Sequence, residues 1–415
     1  MHTATIAASA DLAASFEITA LPAGFADDPF PIYRALLEHA PVKRFADGSV
    51  MLSRYADLDR VYRDTSAFSS DKKLEFLPKF GATPLYEHHT TSLVFNDPPL
   101  HTRVRKIMMG ALTPRAIAAM ETGLVALVEG LLDRMADKGD VDLIEDFASA
   151  IPVEVIGNLF VMPHEERGPL RDWSLAILGA LEPTLTPEQH ERGNRAVTEF
   201  KAYLADLAAR RRANPGDPAT DVLTRLINGN DGQQLSDVEL LQNCIFILNA
   251  GHETTTNLIG NALHELLQWP AEKQRLLAEP ALVDTAVDEF LRFQSPNQLG
   301  NRMTTQPVTF EGEEIAAGTR IHLCIGAANR DPRQFDEPDR LDLSRKPNRH
   351  LAFAQGPHLC AGFSLARMEG RIAIARLLER FPNYRLAGEP ERTGRVRFRG
   401  FSHLPACVDS NGATA

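Results

Sequence analysis

Apolar positions recur with a period near 3.6 over most of the stretch from about residue 55 to 292, and with a period of two only in short runs. "DDPFPIYRALLEHAPV" predicts a short helix between proline stops. "PVKRFADGSVMLSRY" predicts a hairpin turning at Asp47-Gly48, and "VTFEGEEIAAGTRIHLCIG" predicts a second with Glu311-Gly312 at its tip. "SSDKKLEFLPKFGATPLYEHHTTSLVFNDPPL" breaks the helical period with aromatics and turn residues, and an irregular segment is expected there. From Ala328 to Gly356 the chain is dense in Pro, Asp, Asn and Arg, and a loop of that length usually has a task. The expected fold class is mainly α with a small β part. A loose tail is expected over 1–20 and one domain over 21–415.

The strongest pattern is "LSDVELLQNCIFILNAGHETTTNLIGNALHELLQWP". Ser236 and Glu239 form a capping box and Pro270 closes the run, which predicts a helix from about 237 to 268. At 1.5 Å per residue such a helix is about 48 Å long. Its middle reads Ala250-Gly251-His252-Glu253-Thr254-Thr255-Thr256. One glycine and three β-branched threonines cost about 2 to 3 kcal/mol against alanines, and an acid lies among them. A local rule broken at the centre of a long helix points to function.

Composition narrows the classes. The chain has 415 residues, 44% hydrophobic residues and a formal net charge of -11, which disfavours nucleic acid or an anionic membrane as partner. No apolar run approaches the length of about 20 residues that spans a bilayer. The first twenty residues contain no Lys or Arg, so no signal peptide is expected. Cys244, Cys324, Cys360 and Cys407 lie far apart without a CxxC pair, which suits a reducing cytoplasm rather than a disulfide framework.

One cysteine is placed unlike the rest. In "FAQGPHLCAGFSLAR", Cys360 stands between glycines, two residues after His358. Leu365, Met368, Ile372, Ala375 and Leu378 then keep helical spacing as far as Pro382. A thiol at a helix start ionises easily, because the backbone N–H groups and the dipole favour negative charge. Gly356 and Gly362 let the backbone approach something flat and bulky. Such a thiolate is suited to be a nucleophile, a metal ligand or a haem ligand.

Phe353, Gly356, His358, Cys360 and Gly362 fill the pattern Phe-x-x-Gly-x-His/Arg-x-Cys-x-Gly, so the stretch resembles the haem-binding loop of the cytochrome P450 family, in its soluble bacterial form. The family usually has glycine after the phenylalanine, where this chain has Ala354. The resemblance covers Asp28 to Val408 and implies a single catalytic domain, with haem b between the long helix and the Cys-loop helix. It makes Cys360 the axial iron ligand, packs Phe353 against it, and gives His358 a haem propionate. Ala250-Gly251-x-Glu253-Thr254 resembles the family's oxygen-binding helix. Gly251 would then make room for dioxygen, Thr254 would hydrogen-bond the activated oxygen, and Glu253 would feed protons inward as general acid. His252 falls at the variable position and is expected to be structural.

Other positions follow from the same resemblance. Glu289 and Arg292 in "EFLR" alone make an ordinary i, i+3 pair. The family's ExxR pair locks onto an arginine of the following loop, here Arg340, as a brace. His101, Arg105 and Arg302 match positions that clamp the haem propionates. Arg103, Lys106, Arg345, Lys346, Arg349, Arg367 and Arg371 are expected to form a basic docking patch for an acidic iron–sulfur protein. The pocket is expected to be lined by Leu85, Tyr86, Leu93, Val94, Leu178, Leu181, Ile247, Ala250, Leu299 and Phe401. Lys72, Lys73, His88, His89 and Thr90 are candidates to meet a carboxylate or hydroxyl at its entrance.

The implied activity is a cytoplasmic monooxygenase using O2 to hydroxylate or dealkylate a small hydrophobic molecule. Its electrons come from NAD(P)H through a separate ferredoxin and ferredoxin reductase, with no reductase fused. Two alternatives are a peroxide-driven haem enzyme, from which the acid–alcohol pair is typically lost, and a haem sensor or ligand carrier, which needs no proton relay.

Overall fold

The computed structural model describes residues 2–110, 112–230 and 232–408. Met1 and residues 409–415, the ends of the expected tail and domain, lie outside the described residues. In chain order the helices are α1 (His2–Ser15), α2 (Phe30–His39), α3 (Tyr55–Arg63), α4 (Lys73–Phe80), α5 (Pro84–Thr91), α6 (Leu100–Met109), α7 (Pro114–Lys138) and α8 (Ala150–Leu159). There follow α9 (Leu170–Gly179), α10 (Pro187–Ala213), α11 (Val222–Asn228), α12 (Asp237–Gln268), α13 (Pro270–Ala278), α14 (Val283–Phe293), α15 (Ile325–Ala328) and α16 (Phe363–Arg380). The strands used below are β1 (Val42–Arg44), β2 (Val50–Leu52), β3 (Phe68–Ser69), β4 (Asp140–Asp142), β5 (Leu299–Thr304), β6 (Val308–Phe310), β7 (Glu313–Ile315) and β8 (Arg320–Cys324).

Contacts divide the chain into two compact units. One comprises Met1–Ser70, Asn257–Cys360 and Leu377–Ala415, and the other Asp71–Thr256 and Ala361–Arg376. The first unit holds a five-stranded sheet in the order β1-β2-β8-β5-β3. Strand alternation builds its two cores. Val50 and Leu52 turn to one side, with Ile321, Leu323 and the α3 residues Leu58, Val61 and Tyr62. Met51 turns to the other, with Leu299, Cys324 and the α2 residues Tyr33 and Leu36. Ala13, Phe16 and Ile18 are buried in that second cluster and α1 is helical. A loose tail over 1–20 is therefore corrected: Phe16 and Ile18 anchor it.

The β1–β2 hairpin turns at Asp47-Gly48 as expected, with Gly48 at φ +80°. The second hairpin is β6–β7, with Glu311 and Gly312 at φ 50° and 80°, the pair of positive angles that a tight two-residue turn needs. β8 does not join it, although the pattern suggested one hairpin. It pairs antiparallel with β5 and parallel with β2 instead.

In the second unit Trp173 of α9 stacks on Phe200 of α10 at 4.7 Å. A Cβ at Gly193 would lie 2.9 Å from Leu85 Cδ1, so that glycine lets α5 press close on α10. The segment expected to be irregular is in fact α4, α5 and a 3-10 turn, Leu93–Phe95. Each piece is too short to show a period, and Pro78 inside α4 disguises it further. Phe76, Phe80, His89 and Phe95 cluster with ring centroids 5.1 to 5.7 Å apart. The long helix α12 has the expected bounds, and the Ser236–Glu239 capping box is formed in both directions. Among the described residues no helix is long and apolar enough to cross a membrane.

Candidate functional site

The loop ahead of Cys360 is held by buried charge. Arg292 donates from Nε and Nη2 to the two oxygens of Glu289, each at 2.7 Å, and neither side chain is exposed. Arg292 also donates to the carbonyls of Asn329, Pro338 and Arg340. Glu289 accepts further bonds from Arg345 Nε at 3.2 and 3.1 Å, from Asn348 Nδ2 and from the Asp342 N–H. The side chain expected in this brace, Arg340, is not there: it lies 55% exposed and pairs with Glu337. Arg345, five residues on, takes its place with a side chain only 10% exposed. Both arginines stand in one short string, and nothing local selects between them.

Cys360 itself is tied to the loop by its N–H, which donates to the Phe353 carbonyl at 2.9 Å. Ala352 to Ser364 are all half-buried apart from the exposed Pro357. Cys244 and Cys324 differ: both are fully enclosed, and burial pushes their thiols up, that of Cys324 to about 12. Gly356 is needed by the protein itself. Its φ is +65° and a Cβ there would meet the Tyr62 carbonyl at 2.5 Å. Gly362 is different, since no atom lies within 4 Å of where its Cβ would stand, which leaves that face open to a flat group. Arg302 on β5 is 8% exposed, with its guanidinium 5.5 Å from the Tyr62 ring centre. Burial pushes the Tyr62 phenol up to about 12, and the charges of Arg302 and Arg397 oppose that shift. Arg397 was not singled out from sequence, where it is one of several arginines in "RVRFRG".

In the second unit α12 turns a distinct face outward at its middle. Ile247, Ala250, Gly251 and Thr254 are half-buried, whereas Leu248, Asn249, His252, Glu253 and Thr255 are buried. The spacing i, i+3, i+4, i+7 is one stripe of a helix. Thr254 Oγ1 donates to the Ala250 carbonyl at 2.7 Å, and Glu253 is 2% exposed one position round the helix. A Cβ at Gly251 would lie 2.8 Å from Ile156 Cδ1, so close packing of α8 on α12 accounts for that glycine. His252 is buried. On α6, His101 is buried and Arg105 half-buried at i, i+4.

Several expected lining residues serve the core instead. Leu85 fills the space against Gly193, Leu299 joins the cluster beneath β2, and Phe401 lies under Arg392 and beside His264. Leu93 and Leu181 are buried, while Tyr86, Val94, Leu178 and Ile247 remain half-buried. The basic patch is depleted: Arg103 pairs with Glu239, Arg345 with Glu289, and Arg371 with Glu121. Lys106, Lys346 and Arg349 stay exposed.

The residue types in each unit fit a haem. In the first unit Cys360 is a half-buried thiol, and Arg302 and His358 suit carboxylates; in the second unit His101 and Arg105 are of the same carboxylate-binding kind. Among the described residues no group of three or more His, Cys, Asp or Glu could hold a bare metal ion, so a metal at Cys360 would need its other ligands from a prosthetic group.

Comparisons with known proteins agree. The cytochrome P450 family model matches residues 174–384. Vitamin D(3) 25-hydroxylase of Pseudonocardia autotrophica is 37% identical over 94% of this chain and 96% of its own length. 6-deoxyerythronolide B hydroxylase of Saccharopolyspora erythraea is 32% identical, over 92% and 96%. A P450 crystallised with an acyl carrier protein ligated to hexadec-9Z-enoic acid superposes with a TM-score of 0.88 at 31% identity, over 93% of this chain and all of that one. Motif, fold and relatives thus converge, and the chain belongs to the cytochrome P450 family, a family of haem-thiolate monooxygenases.

Proposed function

We propose that the chain inserts one oxygen atom from O2 into a small, mainly hydrophobic organic molecule, by hydroxylation or oxidative dealkylation. NAD(P)H provides the electrons through a separate ferredoxin and its reductase, in the cytoplasm. One observation carries the reading: an alcohol, Thr254, sits on the half-buried stripe in the middle of α12, with a buried acid, Glu253, one position round the helix. A ligand carrier has no use for that pair, and a peroxide-driven enzyme dispenses with it.

We infer that both sets of residues would serve one haem b and that the two units act as one catalytic domain, a reading that family membership supports. Cys360 would hold the iron through its thiolate, with Phe353 and Gly362 beside it. Arg302, His358, His101 and Arg105 would hold the carboxylates. Bound haem with a thiolate ligand supplies the activation of O2. The Thr254 hydroxyl proton is donated to the Ala250 carbonyl, so its lone pairs are the part turned outward. Oγ1 therefore accepts a proton-bearing group first and donates only on rotating away from Ala250. Glu253 supplies that proton from its buried position, which favours transfer over leakage to bulk water. Relatives named for vitamin D(3) and for 6-deoxyerythronolide B support a bulky apolar substrate.

The test is reconstitution with NADPH, ferredoxin and reductase, with oxygen uptake and product measured together on a substrate found by its Soret shift. Thr254→Ala is expected to keep oxygen uptake while product per O2 falls at least about tenfold, the scale of a lost general acid–base step. Unchanged coupling, or full activity driven by hydrogen peroxide alone, would overturn the reading.

A further inference from the structure

The second unit also holds a run of polar groups that oxygen activation does not use. Lys201 Nζ of α10 donates to Glu87 Oε1 at 2.5 Å. The same oxygen accepts from Gln242 Nε2 of α12 at 2.6 Å. Gln242 Oε1 then lies 2.9 Å from His88 Nδ1. Gln242 is fully buried and His88 is 3% exposed.

The direction of each bond follows from what its atoms can do. A carboxylate only accepts, and Lys201 holds the Glu87 carboxyl below its usual range, so Glu87 is ionised and the Gln242 NH2 must face it. The amide oxygen therefore faces His88, and an oxygen without a proton cannot donate. Nδ1 carries the imidazole proton, which leaves the lone pair on Nε2. Burial holds the His88 imidazole down to about 4, so the ring is neutral around pH 7. Among the described residues Nε2 has no hydrogen-bond partner. A polar atom oriented by three residues and left without a partner by the described protein, on a side chain only 3% exposed, can take a partner from outside it.

The position of this atom bears on the size of that partner. Gln242 precedes Thr254 by twelve residues on α12, a rise of about 18 Å along the helix axis at 1.5 Å per residue. The half-buried Ile247, Ala250 and Gly251 lie along the way. The segment that carries His88 is tied to the same turn of α12 a second time, because Asn243 Oδ1 accepts the Leu93 N–H at 2.9 Å.

We propose that His88 Nε2 accepts a hydrogen bond from the hydroxyl at one end of an elongated apolar alcohol whose other end is presented to Thr254, twelve residues along α12 from the Gln242 that orients His88. His88 is then a specificity-determining residue and Gln242 a positioning residue that sets its tautomer. This deepens the monooxygenase reading and rests on it for the oxidation at the Thr254 end.

The experiment compares 1-tetradecanol with its methyl ether, which cannot donate, each delivered from cyclodextrin to the holoenzyme and followed by calorimetry. Wild type is expected to bind the alcohol about tenfold more tightly than the ether. His88→Phe should abolish that ratio by weakening only the alcohol. Gln242→Met, which frees the ring to take the other tautomer, should reduce the ratio while His88 remains in place. Equal affinities in wild type, binding of neither probe, or a ratio untouched in both variants overturns the proposal. The ferrous carbon-monoxide spectrum separates this from failure of the haem-thiolate reading, because loss of the thiolate band condemns the latter whatever the ratio.

Discussion

Two carboxylate networks, one in each unit, end differently. In the loop that leads to Cys360, Glu289 is fully enclosed and every partner belongs to the protein: Arg292, Arg345, Asn348 and a backbone N–H. In the second unit, Glu87 starts a chain that passes through Gln242 and stops at an imidazole nitrogen that nothing in the described protein meets. A closed network makes a scaffold, because removing any member strands a charge in low dielectric. An open one makes a reader of ligands, because its last atom still has a bond to offer. Completeness of hydrogen bonding, not the presence of charge, separates the brace from the recognition element.

The closed network should be the more costly to break. Glu289→Ala strands two guanidiniums and is expected to destabilise the protein by about 3 to 5 kcal/mol, seen as lost haem-loaded protein on expression and a lower denaturant midpoint. A fall below about 1 kcal/mol would show that the brace does not hold the loop.

The open network has a pH signature. The folded His88 value of about 4 lies below the unfolded 6.5, so the unfolded chain takes up the proton first. Stability should therefore fall as pH is lowered from 6.5 to 4, by up to about 3 kcal/mol. Glu369 of α16 titrates with the opposite sign. Burial pushes it up to about 8, and Oε2 has no partner among the described residues, so its contribution declines as pH rises from 4.5 towards 8. Unfolding curves of His88→Phe and Glu369→Gln across this range should each lose one limb of the profile. Parallel profiles in wild type and variants would refute both assignments.

The smallest effect sharpens the brace. Arg340→Ala should change stability by less than about 0.5 kcal/mol, since its pair with Glu337 is at the surface. Arg345→Met should approach the Glu289→Ala loss. The reverse order would restore Arg340 to the role that its position in the loop suggested.

Whatever depends on neighbours along the chain was legible. The bounds of α12, its capping box, the two hairpin turns and the Cys360 loop all rest on spacing and local backbone preference, which a string of residues displays directly. The short helices α4 and α5 were not legible, because eight residues cannot display a period and Pro78 masks one of them.

Sequence by itself determined the family, the thiol at Cys360 and the acid–alcohol pair Glu253-Thr254, since each is written in contiguous residues. Only the tertiary structure chose Arg345 over Arg340, gave Gly251 to Ile156, and drew Leu299 and Phe401 into the core. It also joined His88 to Gln242 across 154 positions. The reason is physical. Partner choice for a buried charge or lone pair depends on distances that folding creates, and residues of the same type a few positions apart are equivalent until it does.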